Sequence, residues 1–345
     1  MALMLVVGGT LLLAPSARAA VQTFQEGVGG YADTQDTYLD EQFPNTSHNS
    51  SRVRVENISG QRQQGLIRFD NIFGSGAGQI PFGSVINSAT LTVNVFNNSS
   101  AGAQIRLHRM LMTWLEAATW NSMTGGIQTN DSEAMSAFDA QVSDPASVGP
   151  ETITGLAAAL QAWSDGASNY GWAIISNSSD GWDFASSEDP TTGNRPLLQV
   201  DWSPPPLEIV KRAFWPDGTP IPTGATIPSG VGFKFLLYIN NQNIARSDIS
   251  VRDVLDAAFQ YQAETIQVDN SVAECVLAVC TAVEEQAIFT AVDGAAFLLD
   301  AVDGDVASYT GASTTIDAGD GNVANLQLDI NANAVWAMLF SAKMP

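Results

Sequence analysis

The sequence predicts an all-β chain: a jelly-roll β-sandwich followed by a second, immunoglobulin-like β-sandwich. Three observations carry this reading. Short β-branched runs bounded by Gly, Asn, Ser and Pro recur from Ala20 to Ser203. The stretch Gly193-Asn-Arg-Pro-Leu-Leu-Gln-Val-Asp-Trp202 reads as a closing strand, and Pro204, Pro205 and Pro206 follow at once as a stiff linker over 204–206. A second set of strand-like runs then fills 207–345.

Residues 1–19 have the form of an export signal. Leu3 to Leu13 is apolar, Pro15 interrupts it, and Ala17-Arg-Ala19 supplies small residues before a cleavage point after Ala19. The apolar run is too short to span a bilayer, and no later stretch is apolar enough, so the mature chain is expected to be secreted with no transmembrane segment. In 20–203 the predicted strands are Thr37–Leu39, Arg52–Glu56, Gly65–Phe69, Ala89–Phe96, Gln104–His108, Tyr170–Ile175, Trp182–Phe184 and Leu197–Trp202. Seven or eight short strands separated by turn residues argue a sandwich or jelly roll. Leu156, Leu160 and Trp163 share one face at helical spacing, which predicts a helix over 154–164. Thr124 to Pro150 is polar and without periodicity, and reads as a long insertion. In the second module the expected strands are Gly232–Asn240 with a turn at Asn240-Asn241, Ile249–Leu255, Asn322–Ile330 and Ala334–Ala342, with a short helix over Glu284–Phe289.

Composition narrows the function classes. The chain has 345 residues, 45% hydrophobic and 14% charged, enough for two domains with ordinary cores. Net charge is −22, and the acid excess is spread along the chain: seven Arg and no Lys face 19 acids between Val21 and Ser203. That sign repels phosphate backbones, so nucleic acid is excluded as an expected partner. Cys275 and Cys280 are the two cysteines, and an exported chain is expected to close them into a disulfide.

The N-terminal module resembles the DNRLRE-type domain, a jelly-roll group that includes disaggregatase-like carbohydrate-binding modules. The resemblance covers most of residues 29–202. Its residues are Ala32-Asp33, Asp36-Thr-Tyr38, Leu66-Ile-Arg-Phe-Asp70, Ile86-Asn-Ser-Ala-Thr-Leu91, Trp114-Leu-Glu116, Thr119-Trp120-Asn121, Trp163, Ser186-Ser-Glu188 and Asn194-Arg-Pro196. It implies secretion, a jelly roll and a non-catalytic role beside polysaccharides. The second module resembles the DUF11-like domains of surface proteins, on Phe235-Leu-Leu-Tyr-Ile-Asn-Asn241, Ser250-Val-Arg-Asp253 and Leu255. That resemblance implies a Lys–Asn crosslink in some members, for which Lys234, with Asn325 or Asn331 and Asp253 or Glu274 as the acid, would be the candidates here.

Candidate sites follow from residue chemistry. Asp33, Asp36 and Asp40 cluster at the start of the first module, and Glu188 and Asp189 lie near its closing strand; together they offer the hard oxygen ligands that calcium requires. Asp300, Asp303 and Asp305, and Asp317, Asp320 and Asn322, sit in turns of similar composition. Trp182, beside an Asp-Gly turn, with Tyr31 and Tyr38 behind it, is the expected platform for stacking a sugar ring. No catalytic residue is singled out: there is no Gly-x-Ser-x-Gly, no His-Glu-x-x-His and no phosphate loop. The expected function is a secreted, non-catalytic carbohydrate-binding or adhesion protein with calcium stabilising the jelly roll. Its partner would be an extracellular polysaccharide or cell-surface component. The alternatives are a self-associating structural subunit of a filament or surface layer, and a glycan-active enzyme.

Overall fold

The computed structural model describes residues 3–4, 11–14, 20–74, 76–143, 147–205, 207–242, 245–275 and 279–345, and of 3–4 and 11–14 the backbone alone. The chain divides into two compact units. One is 18–205, the other 206–345 joined by 1–17. Both are all-β.

In order, the strands are β1 (Leu3–Met4), β2 (Leu11–Ala14), β3 (Ala20–Gln25), β4 (Thr34–Asp40), β5 (Arg52–Val55), β6 (Gln63–Phe69), β7 (Val85–Asn97) and β8 (Gln104–Arg109). Next come β9 (Ala140–Ser143), β10 (Gly149–Ile153), helix α1 (Ala157–Ser164), β11 (Trp172–Ser176), β12 (Trp182–Ala185) and β13 (Leu197–Ser203). The unit 18–205 has two antiparallel sheets, β3-β13-β7-β12-β5 with β10 also on β7, and β4-β6-β11-β8-β9. The first and last strands are neighbours: Leu197 to Trp202 of β13 pair with Gln25 to Ala20 of β3. On its other side β13 pairs with β7, with a register shift between Asp201 and Trp202. Alternation sets the inner face of β7, where Ala89, Leu91, Val93 and Val95 are buried between exposed or half-buried neighbours. Gly65 lets the two sheets approach. A Cβ there would lie 2.8 Å from Val53 Cγ1 across the sandwich.

β6 is buried on both faces, because the loops after β8 cover the outer side of its sheet. Met110, Trp114, Trp120, Met123, Ile127 and Ala134 pack there against Leu39 and Leu66. The buried amide of Gln64 fixes this layer, donating to Ile127 O (3.1 Å) and accepting from Ile127 N (2.7 Å). The expected insertion over 124–150 is therefore corrected. It adds Ile127 and Ala134 to the core, and β9 and the start of β10 to the sheets. Polar turns had masked these short strands in the sequence.

The second unit holds β14 (Ile209–Phe214), β15 (Thr226–Ile227), β16 (Gly232–Asn241), β17 (Arg246–Val254), β18 (Gln260–Tyr261) and β19 (Ile266–Ala273). Helix α2 (Ala282–Asp293), β20 (Phe297–Leu298), β21 (Ala307–Thr310), β22 (Thr315–Ala318), β23 (Leu328–Ile330) and β24 (Ala334–Lys343) complete it. The sheets run β14-β16-β24-β19-β20, with β18 on β24, and β2-β17-β22-β21, with β23 on β17. Phe235, Leu237, Val251, Ile316, Trp336 and Phe340 belong to the main core. A second cluster forms where α2 lays Ile288, Phe289 and Val292 on Phe214, Tyr238 and Leu339. Thr281 and Glu284 form a capping box that starts α2, so the helix is longer than the expected Glu284–Phe289. Cys275 and Cys280 form the expected disulfide just before it, with an S–S distance of 2.03 Å. Two expectations are corrected. Asn240 and Asn241 are buried strand residues rather than a turn, and only Leu328–Ile330 of the expected Asn322–Ile330 run is strand. The end of the proline linker, Pro206, lies outside the described residues.

One charged pair is sealed in the second core. Lys211 Nζ donates to Asp253 Oδ2 at 2.6 Å and Oδ1 at 2.9 Å, and lies 4.2 Å from the centre of the Phe235 ring. The two side chains are 8% and 0% exposed. Burial pushes the lysine pKa down, and Asp253 opposes that shift. Lys234, by contrast, bonds Asp293, and Asn325 donates to Asp317 O. Removing one member of the buried pair should cost about 3–5 kcal/mol, because the other charge is left unpaired in an apolar surround. Denaturant unfolding should therefore show Asp253→Ala far less stable than the double variant Lys211→Met/Asp253→Leu; equal losses would contradict this.

Candidate functional site

The site is built at one corner of the unit 18–205. β3 and β4 are joined by a tight turn, in which Tyr31 N donates to Val28 O at 3.0 Å. Gly29 (φ 62°) and Gly30 (φ 87°) occupy the two central positions, the left-handed pair that a type I′ turn needs. The turn sets Tyr31 edge-on to Phe24, with ring centres 5.3 Å apart, and its hydroxyl donates to Asp70 O at 2.9 Å. A cavity of about 500 Å³ opens beside it, lined by Tyr31, Gln22, Asp33, Asn71 and Gln79 and by the glycines of two turns. Gln79 is held in place: its Nε2 donates to Asn71 O at 2.9 Å and its Oε1 accepts from Gly76 N at 2.7 Å.

Five residues along the chain, the chemistry changes from amides to carboxylates. Asp36 lies on β4, an edge strand, and is 1% exposed. Its Oδ2 accepts from Ser187 N at 2.8 Å, while Oδ1 is buried and has no hydrogen-bond partner. The Oγ1 atoms of neighbouring Thr34 and Thr37 are buried and unpartnered as well. Glu188 approaches from the β12–β13 connection, where Ser187 Oγ donates to its Oε1 at 2.9 Å. Glu116 approaches from the loop after β8 and accepts from Asn49 Nδ2 at 3.0 Å. That loop is fixed by Arg68, which donates to Trp114 O at 3.2 Å and pairs with Asp70 at 2.7 Å.

The corner is electrostatically uncompensated. Desolvation pushes the Asp36 pKa well above the ordinary carboxylate range; the charges of Glu188 and Glu116 push it the same way, and the hydrogen bonds from Ser187 oppose them. Glu116 is raised by desolvation and then by Glu188. The Tyr31 hydroxyl is raised by burial, then by Asp33 and Asp70. No Lys or Arg among the described residues forms an ion pair with Asp36, Glu116 or Glu188. The orphaned Asp36 oxygen and two adjoining carboxylates are the hard donors that a divalent cation takes. Even so, no three His, Cys, Asp or Glu side chains among the described residues already stand in a metal-holding arrangement. A cation would have to draw in Glu116 and Glu188, of which Glu188 is exposed.

The structure separates the residues expected to act together. Of the five expected metal ligands, Asp36 and Glu188 meet, and Asp33 instead lines the cavity. Asp40 is spent on a turn, accepting from Gln42 N (2.8 Å) and Gln63 Nε2 (2.8 Å). Asp189 likewise accepts from Thr191 N at 2.8 Å. The expected stacking platform is corrected: Trp182 is 0% exposed against Phe184, so neither face of its indole is open to a sugar. Tyr38 is buried and stacks on His48 at 4.3 Å. Tyr31 is the one of the three at the cavity. Glu116 was missed as a site residue, although it stands in the Trp114-Leu-Glu116 motif. Gln22, Asn71 and Gln79 carried no sequence signal, since the fold brings β3 and the β6–β7 connection together.

No family model matches the chain, and no curated protein matches it. Among solved structures, the C-terminal domain of the AgI/II polypeptide BspA of Streptococcus agalactiae is similar to it, with 11% identity, 90% of this chain and 91% of that chain covered, and a TM-score of 0.27. A likeness at that score carries no argument.

The raised Asp36 pKa predicts a pH dependence. The folded chain keeps a proton on Asp36 where the unfolded chain, with an ordinary pKa near ~3.9, has released it. In chelator, the stability of this unit should therefore fall as pH rises from about 4 through the raised folded value. Thermal unfolding of Asp36→Asn against the parent chain checks this. The variant should lose that part of the slope, and an unchanged slope would refute the assignment.

Proposed function

We propose that this chain is a secreted, non-catalytic binding protein of the cell surface. The cavity beside Tyr31 takes a unit of an extracellular polysaccharide, and a calcium ion at Asp36, Glu116 and Glu188 stiffens the corner that shapes it. The observation that carries the reading is the cavity's chemistry. Its side-chain lining is two aromatic rings, Phe24 and Tyr31, the apolar Val28 and Ala77, three amides, the Thr23 hydroxyl and one carboxylate, with backbone from two glycine-rich turns. Sugar hydroxyls need many such donors and acceptors, and a CH face needs one ring. A phosphorylated or sulfated ligand is disfavoured, because Asp33, Asp70 and Glu26 put negative charge around Tyr31.

Calcium would neutralise the group that burial leaves worst placed. It would satisfy Asp36 Oδ1 and tie β4 to the β12–β13 connection and the loop after β8. The DNRLRE-type resemblance of residues 29–202 supports the non-catalytic, polysaccharide-facing part of this reading. No helix of the described residues is long and apolar enough to cross a membrane. The leader-like first 19 residues support export.

Retention of the chain on a panel of neutral polysaccharides, with calcium and then with chelator, tests the proposal. One glycan class should retain it, and Tyr31→Ala should weaken that retention about tenfold, the loss of ~1.4 kcal/mol of contact. Trp182→Ala should instead lower stability by about 3–5 kcal/mol, as a core cavity does. No retention on any glycan, or retention indifferent to Tyr31, would overturn the reading.

A further inference from the structure

The second unit contains a strand position filled from the far N-terminus. β17 is an inner strand because β2 pairs with it antiparallel, Ser250 with Ala14, Val251 with Leu13, Arg252 with Leu12 and Asp253 with Leu11. β22 pairs with the same stretch, Val251 with Ala318 to Val254 with Thr315. A strand has two hydrogen-bonding sides, so β2 and β22 take opposite ones. Take β2 away, and Ser250–Asp253 becomes an open sheet edge.

Sheet edges exposed to solvent are usually guarded by outward charges, proline or a bulge. Along Ser250–Asp253 the guards are few: the irregularity of β17 falls between Arg246 and Ile249, outside the stretch that β2 covers, and Arg252 is the one outward charge. The pairing of β2 with Ser250–Asp253 runs without a register shift. Asp253 is turned inward and consumed by Lys211. Arg252 is tied to Asp317 at 2.7 Å. The segment seated on the edge, Leu-Leu-Leu-Ala, carries no charge. A second contact draws the same end of the chain to this unit, since Leu3 and Met4 pair with Ile227 and Thr226.

We propose that Ser250–Asp253 is a strand-accepting edge whose occupant is the chain's own Leu11–Ala14, bound through backbone hydrogen bonds in the manner of β-augmentation. The segment that reads as an export leader is thus also a plug. While attached it closes the edge, and its removal opens a site for an uncharged extended strand. This assignment is independent of the polysaccharide reading and of calcium.

Hydrogen exchange on the full chain, leader retained, tests it. In the parent chain the amides of Ser250–Asp253 should be protected. Leu12→Pro removes a backbone donor from the plug, and exchange there should rise about tenfold or more while β24 stays protected. A synthetic peptide with the sequence of residues 9–16, added to that variant, should restore protection saturably. Unchanged protection in a monomeric Leu12→Pro chain would overturn the assignment. So would protection that returns without peptide through a concentration-dependent dimer, which would make a second copy the occupant. Failure of the peptide to restore protection would overturn it too.

Discussion

The antiparallel pairing of β13 with β3 on one side and β7 on the other holds the first unit together and makes its site. It joins the first and last strands of the unit, so the connection before β13 must pass over the start of β4. Ser187 N then reaches Asp36 across 151 residues of sequence. The same closure places Glu188 beside a carboxylate that the sandwich has already removed from water. An edge strand ordinarily keeps its acids in solvent. This one buries Asp36 because the β12–β13 connection lies over it, and the cost falls on its Oδ1, which has no partner.

Two chemistries therefore meet at one corner for a topological reason. The type I′ turn of Gly29 and Gly30 reverses the chain between β3 and β4 and opens the amide-lined cavity. β4 then carries the chain inward to Asp36. Arg68 links the two halves: it pairs with Asp70, whose carbonyl receives the Tyr31 hydroxyl, and it donates to Trp114 O, two residues before Glu116. An ion drawn to the carboxylates would stiffen the elements that shape the cavity without entering it.

Strand periodicity made much of the fold legible. The alternation of Ala89–Phe96 and the β-branched run at Leu197–Trp202 sufficed to mark strands, and the heptad-like spacing of Leu156, Leu160 and Trp163 marked α1. β6 is buried on both faces although it carries Gln64 and Arg68, whose side chains bond the loops that cover it. Strands inside polar turns, such as β9, gave no signal. The site was legible in part. Asp36 and Glu188 stood out as acids near the two ends of the unit, but only the tertiary pairing could tell them from Asp40 and Asp189, which hold turns. Trp182 misled because a tryptophan beside an Asp-Gly turn looks exposed, whereas β12 lies inside its sheet and turns the indole into the core. No pattern in sequence marks a cavity made of backbone and amides from separated turns.

Calorimetric titration of the oxidised chain with calcium near neutral pH tests the central claim, that the buried acidic corner is a cation site. The account predicts one saturable site that disappears in Asp36→Asn and weakens in Glu116→Gln. Both variants should stay folded, since each replacement keeps the shape of the side chain. No saturable binding, or binding that survives Asp36→Asn unchanged, would contradict it.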